Sequence, residues 1–168
     1  MAWTAPPSVV AGQLMTAAYW NTHVRDNENY LYALDVAGAW TPVLGGSTGT
    51  SGQSYSIQVG KYIKHGTLVT AYGRLALTAK GTISTFVQIQ GLPFTSENTA
   101  NLYSTLDVGF FTSLTTSWTW LGGVLAPNST AADLTGTQGV ATGIAQLTTA
   151  DISNTTELIF SVTYAAVP

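Results

Sequence analysis

The residues able to do chemistry are few and scattered. The chain has two histidines, His23 and His65, eight carboxylates and no cysteine. His23 falls in a helical stretch and His65 stands before Gly66 at a strand turn, so their spacing gives no reason for the two to meet as an acid–base or metal-binding pair. The carboxylates lie singly except near the helix, and no Asp-x-Asp or His-Glu-x-x-His spacing occurs. Asp133 and Asp151 sit among Ser, Thr and Gly, the setting of a turn or surface acid. Without cysteine there is neither a disulfide framework nor a thiolate metal site. The reading is therefore no catalytic set, no metal, no cofactor, and a protein that is not an enzyme.

Three further motifs carry little chemistry. The run Gly45-Gly46-Ser47-Thr48-Gly49-Thr50-Ser51-Gly52 lacks the Lys-Ser or Lys-Thr pair and the following helix of a phosphate loop, and reads as a flexible linker. Asn128-Ser129-Thr130 and Asn154-Thr155-Thr156 match the glycosylation sequon, as chance allows in a chain rich in Thr. Trp118 and Trp120, two apart on a strand, share one face; such a pair is either core or a platform on which a sugar ring stacks.

The elements that position these residues begin with the one stretch of helical spacing, Thr16 to Leu34. Ala17, Trp20, Val24, Asn27, Leu31 and Leu34 recur in steps of three and four, a heptad seam with one polar member, Asn27. Thr16 caps its start and Gly38 stops it. So short a helix needs apolar surface elsewhere, and an Asn in the seam, which fixes register and strand number, favours copies of the same chain. Arg25 and Asp26 point about 100° apart on a helix, which sets them to bind other subunits rather than each other. Ahead of the helix, Pro6, Pro7 and Gly12 break regular structure, leaving an extended arm with Trp3, Val9, Val10 and Leu14 as apolar anchors for a neighbouring protein.

From Tyr55 onward, alternation of period two recurs between turn residues, about eight strands by this rule, which points to an antiparallel β-sandwich of jelly-roll type. The faces expected inward include Tyr55, Ile57 and Val59; Val69, Ala71, Leu75 and Leu77; Leu102, Leu106, Val108 and Phe110; and Leu158, Phe160, Val162 and Tyr164. On the opposite faces Tyr72, Phe86, Phe111 and Ile159 stand where water expects a polar side chain, which suggests subunit interfaces. The fold class is mainly β, organised as arm and helix (1–38), linker (39–54) and sandwich (55–168).

Composition sets the outer limits. The chain has 168 residues, room for one large domain or a segment plus a domain. Charged residues are 8% of it, against roughly 25% in an average soluble protein. The net charge is −3 and the five basic residues form no cluster, which argues against nucleic acid. No run of 18 apolar residues exists and the N-terminus lacks a basic segment before an apolar core, so neither a membrane span nor a secretory signal is expected.

Ala2-Trp3-Thr4, then Gly12, then Thr16-Ala17 leading to Asn21-Thr22-His23-Val24-Arg25-Asp26-Asn27 resembles the N-terminal segment of many tailed-bacteriophage virion proteins. Gly60-Lys61-Tyr62, Gly66-Thr67-Leu68-Val69, Gly91-Leu92-Pro93-Phe94 and the closing Phe160-Ser161-Val162-Thr163-Tyr164 are similar to the β-rich distal domain of phage fibres. Together these cover about half the chain. Glu28, where an apolar residue is expected, and the lack of a repetitive shaft depart from the pattern. The resemblance implies a homotrimer on the surface of capsid or tail, a short fibre or decoration spike. It implies virion proteins as docking partners, with Arg25, Asp26 and Asn27 fixing helix register and docking. The β-domain would be displayed outward, with a host surface glycan as a further partner. The alternative is a carbohydrate-binding module using Trp118 and Trp120.

Overall fold

The computed structural model describes residues 3–139 and 143–167, so Ala2 lies outside the described residues. The chain divides into two compact units, Met1–Val36 and Ala37–Pro168.

In the first unit the arm is irregular up to Thr16, whose Oγ1 accepts the Tyr19 N–H at 3.2 Å and caps the helix as expected. The helix then runs in three pieces: α1 (Ala17–Trp20), a π-helical turn (Asn21–Arg25) and α2 (Asp26–Leu34). The Asp26 N–H reaches back five residues to the Asn21 carbonyl. Such a turn inserts one extra residue, about 100° of rotation at 3.6 residues per turn, so the expected heptad seam is not one straight stripe. Ala17 and Trp20 precede the offset, Val24 lies in the turn itself, and Asn27, Leu31 and Leu34 follow it. The helix also ends earlier than Gly38. Asp35 is already extended, at φ −97° and ψ 108°, and Gly38 lies inside the first strand.

The β-structure comprises, among the described residues, β1 (Asp35–Trp40), β2 (Val43–Gly46), β3 (Gly49–Ser51), β4 (Ser54–His65), β5 (Leu68–Ala79), β6 (Thr82–Ser84), β7 (Val87–Gln90), β8 (Ser104–Leu114), β9 (Trp120–Leu125), β10 (Ala131–Thr137), β11 (Ala145–Gln146) and β12 (Ile152–Ala165). The mainly antiparallel β class read from the sequence is what the structure has. Its layers are continuous, however: one ten-stranded sheet runs β1-β4-β5-β12-β8-β9-β10-β7-β2, with β11 beside β10 and a separate β3-β6 pair. Inward residues from both ends of this path meet in one core, Val69, Leu75, Leu158 and Val162 with Leu44, Val87, Ile89 and Leu134. The sheet therefore curls over on itself, so that one ladder supplies both walls of the core.

Residues 39–54 are not a linker. They hold β2 and β3 and place Trp40 and Leu44 in the core. Gly45 and Gly46 are buried; a Cβ on Gly46 would come within 2.3 Å of the Ser84 backbone, so glycine serves close approach there rather than flexibility.

Two bulges shift the expected faces. The β4–β5 register slips around Ser56, so Tyr55 packs on the core while Val59 points outward and is 58% exposed. In β8, Val108 pairs with Phe160 and Phe110 with Ile159, leaving Gly109 as the extra residue. Phe111 consequently packs against the core and Phe110 faces out, the reverse of the simple alternation. Leu102 precedes β8 and is exposed.

Candidate functional site

The first unit is organised by Asn27. Its side chain is buried and pairs with the backbone of Thr4 in both directions: the Thr4 N–H donates to Oδ1 at 3.0 Å, and Nδ2 donates to the Thr4 carbonyl at 2.9 Å. Nδ2 also reaches the His23 carbonyl at 3.1 Å. An Asn amide has two donors and one acceptor oxygen, so both of its polar ends are engaged inside its own chain. This corrects the expectation that Asn27 faces other copies in a seam. It is the clamp that lays the arm along the helix, assisted by the Tyr19 hydroxyl donating to the Pro7 carbonyl at 3.4 Å.

Arg25 and Asp26 bind each other, Nη2 to Oδ1 at 2.8 Å and Nε to Oδ1 at 2.9 Å, against the expectation that each engages another subunit. The guanidinium stem is long enough to curl back over an adjacent residue. Beside exposed polar residues such as Thr22, Glu28 and Asn29, the unit presents large apolar side chains to solvent. Trp3, Val9, Val10, Leu14, Trp20 and Leu31 are all at least half exposed, Leu14 the most at 85%; Val24 and Leu34 are partly covered.

Trp118 and Trp120 do not share a face. Trp118 is buried before β9 begins, its Nε1–H donating to Asp151 Oδ1 at 3.1 Å. Trp120 is the first residue of β9 and is exposed, its ring lying over Gly122, where a Cβ would come within 2.4 Å of it. The two-ring sugar platform is therefore overturned, and one ring remains outside.

Asp151, expected as a turn or surface acid, is buried. Oδ1 accepts from Trp118 and from the Thr116 hydroxyl, and Oδ2 from the Thr148 N–H at 2.7 Å and the Thr148 hydroxyl at 2.9 Å. Burial alone would raise its pKa, but the donors from Thr116, Thr148 and Trp118 outweigh it and hold the carboxyl below its ordinary value. The arrangement ties two loops together. With every donor of the cluster engaged, it leaves no position for a substrate.

On the outer face of β4, β5, β12 and β8, residues fall in register rows. One row is Val59, Arg74, Ile159 and Phe110; the next is Lys61, Tyr72, Ser161 and Asp107. Val59, Tyr72, Phe110 and Ile159 are each more than two-fifths exposed. Between Val59, Tyr72, Arg74 and Ile159 lies an open apolar groove of about 540 Å³. Beneath it Gly60 and Gly73 pair, and the Trp40 indole occupies the space a Cβ on Gly60 would need, at 2.5 Å. Arg74 is neutralised by Glu157, Nη2 to Oε1 at 2.5 Å. No group of three or more potential metal ligands occurs among the described residues, and none of their helices is long and apolar enough to cross a membrane.

No protein-family model matches the chain, and no curated protein matches it. One solved structure shares its fold: the crystal structure of Dettilon tailspike protein (gp208), with a TM-score of 0.61 and 18% identity. The likeness covers 78% of this chain. It takes in 24% of the tailspike, so this chain spans about a quarter of that protein's length.

Proposed function

We propose that the chain is a non-enzymatic structural protein of a tailed-phage virion, a homotrimer whose arm and helix dock on the particle and whose β-unit is displayed outward. The carrying observation is the fold shared with part of a tailspike protein. The exposed apolar side chains of the N-terminal unit, on an arm clamped by Asn27, support its use as the docking element. The phage resemblance of the Asn21 to Asn27 stretch supplies the trimer and leaves capsid and tail as alternative sockets, of which the tailspike likeness favours the tail. Mass spectrometry of purified particles, with gold-labelled antibody to place the protein, tests this: a stoichiometric protein on the tail is expected, and absence from particles refutes the proposal.

A second reading, a carbohydrate-binding protein, now rests on Trp120 alone, because a single half-exposed indole over Gly122 offers a surface on which a sugar ring can stack. Binding to a glycan array that is lost in Trp120→Ala supports it; equal binding by the variant removes it.

A further inference from the structure

The outer face of β4, β5, β12 and β8 presents Val59, Ile63, Leu68, Tyr72, Phe110 and Ile159, each between 41% and 58% exposed. Six half-open side chains of this size make an apolar patch of roughly 500 Å², near the upper end for a monomer's largest patch. That approaches the roughly 800 Å² per partner of a stable protein–protein interface.

The charges on this face say what covers it. Arg74 and Glu157 neutralise each other. Lys61 on β4 and Asp107 on β8 stand in one register row, which continues to Gly122 on β9, and neither side chain makes a hydrogen bond or ion pair among the described residues. Three strand spacings separate them, about 14 Å, too far to pair within one sheet. A second copy with its row running the opposite way brings its Asp107 over Lys61. The same registration carries Phe110 of that copy onto Val59, at the groove between Val59, Tyr72, Arg74 and Ile159, which at about 540 Å³ has room for a phenyl ring.

We infer that this face is a two-fold interface between copies of the chain, with Lys61 of each copy paired to Asp107 of the other and Phe110 of each seated in the other's groove. The contact is two-fold, each copy giving both its Lys61 and its Asp107, so it pairs copies and does not itself close the threefold ring proposed above; the inference rests only on the multi-copy part of that reading. It is tested on the full chain by sedimentation equilibrium, with thermal melts showing that each variant is folded. Lys61→Asp and Asp107→Lys alone should each weaken association about tenfold or more, and the double exchange should restore it. Phe110→Ser should weaken it as well. If the wild type is multimeric but the exchanges and Phe110→Ser leave its association unchanged, this interface is wrong and the multi-copy reading survives. A wild type that stays monomeric at high concentration overturns both.

Discussion

Replacing Asp151 by Asn tests how the β-unit closes its loops. The carboxylate takes two donors on each oxygen: Thr116 and Trp118 on Oδ1, the Thr148 N–H and hydroxyl on Oδ2. An amide has one oxygen, so whichever way it turns, two donors face an NH2 group instead of an acceptor. Hydrogen bonds to a charged group contribute about 1.5–3 kcal/mol each, and the Trp118 N–H is buried, so losing two should cost roughly 3–6 kcal/mol. For a unit of this size that lowers Tm by roughly 10–20 °C. The pH dependence adds a second reading. Because the folded pKa lies below the unfolded one, the stabilisation is fully present above the unfolded value near 3.8 and is lost as pH falls through the folded value. The gap between wild type and Asp151→Asn should therefore be full at pH 7 and shrink in acid. Thermal melts followed by near-ultraviolet circular dichroism, where Trp118 reports, measure both. A drop of only a degree or two at pH 7, or a gap that widens in acid, refutes the reasoning.

Asn27→Leu removes three hydrogen bonds, worth roughly 0.5–1.5 kcal/mol each; hydrogen exchange at Thr4 should quicken about tenfold or more, and unchanged exchange counts against the clamp. Gly46→Ala places a methyl against the Ser84 backbone and should cost at least roughly 2 kcal/mol in denaturant melts, as overpacking does, whereas a true linker would tolerate it. Tyr164 has its pKa pushed up to about 12 by burial, with its hydroxyl donating to the Phe94 carbonyl at 2.9 Å. Its contribution should persist below pH 10 and fade as pH rises through 12, so Tyr164→Phe should lose stability at neutral pH and flatten the alkaline limb of the titration.

What the sequence discloses is what obeys a simple period. β5 and β12 alternate without interruption where they pair, and their inward residues Val69, Ala71, Leu75 and Leu77, and Leu158, Phe160, Val162 and Tyr164, are all buried. The Thr16 cap is equally plain, because its signal is local. Parity fails where a bulge intervenes: one extra residue at Ser56 or Gly109 reverses every later side chain, and nothing in composition marks it. Gly45 and Gly46 mislead for a different reason. Glycine suits a loose linker and a tightly approached strand alike, and only the neighbour at 2.3 Å separates the two. Asn27 has the spacing of a seam residue, yet its partner is Thr4, a backbone 23 residues away that periodicity does not see. Counting in twos pairs Trp118 with Trp120, which requires a strand running through both, whereas β9 starts only at Trp120. On the outer face Tyr72 and Ile159 stand out in the sequence as misplaced apolars, but the row that holds Lys61 and Asp107 needs the register.

β12 joins β5 on one side and β8 on the other, and among the described residues no other strand links those two. Before it is synthesised, the growing polypeptide holds two unconnected ribbons, β1-β4-β5 and β8-β9-β10-β7-β2, each with a bare flank inviting a wrong companion. The sheet cannot close while Ile152–Ala165 is still inside the ribosome, so maturation must wait for that segment to emerge. A premature stop ahead of it would release both flanks at once, a sticky by-product rather than a slightly shorter protein.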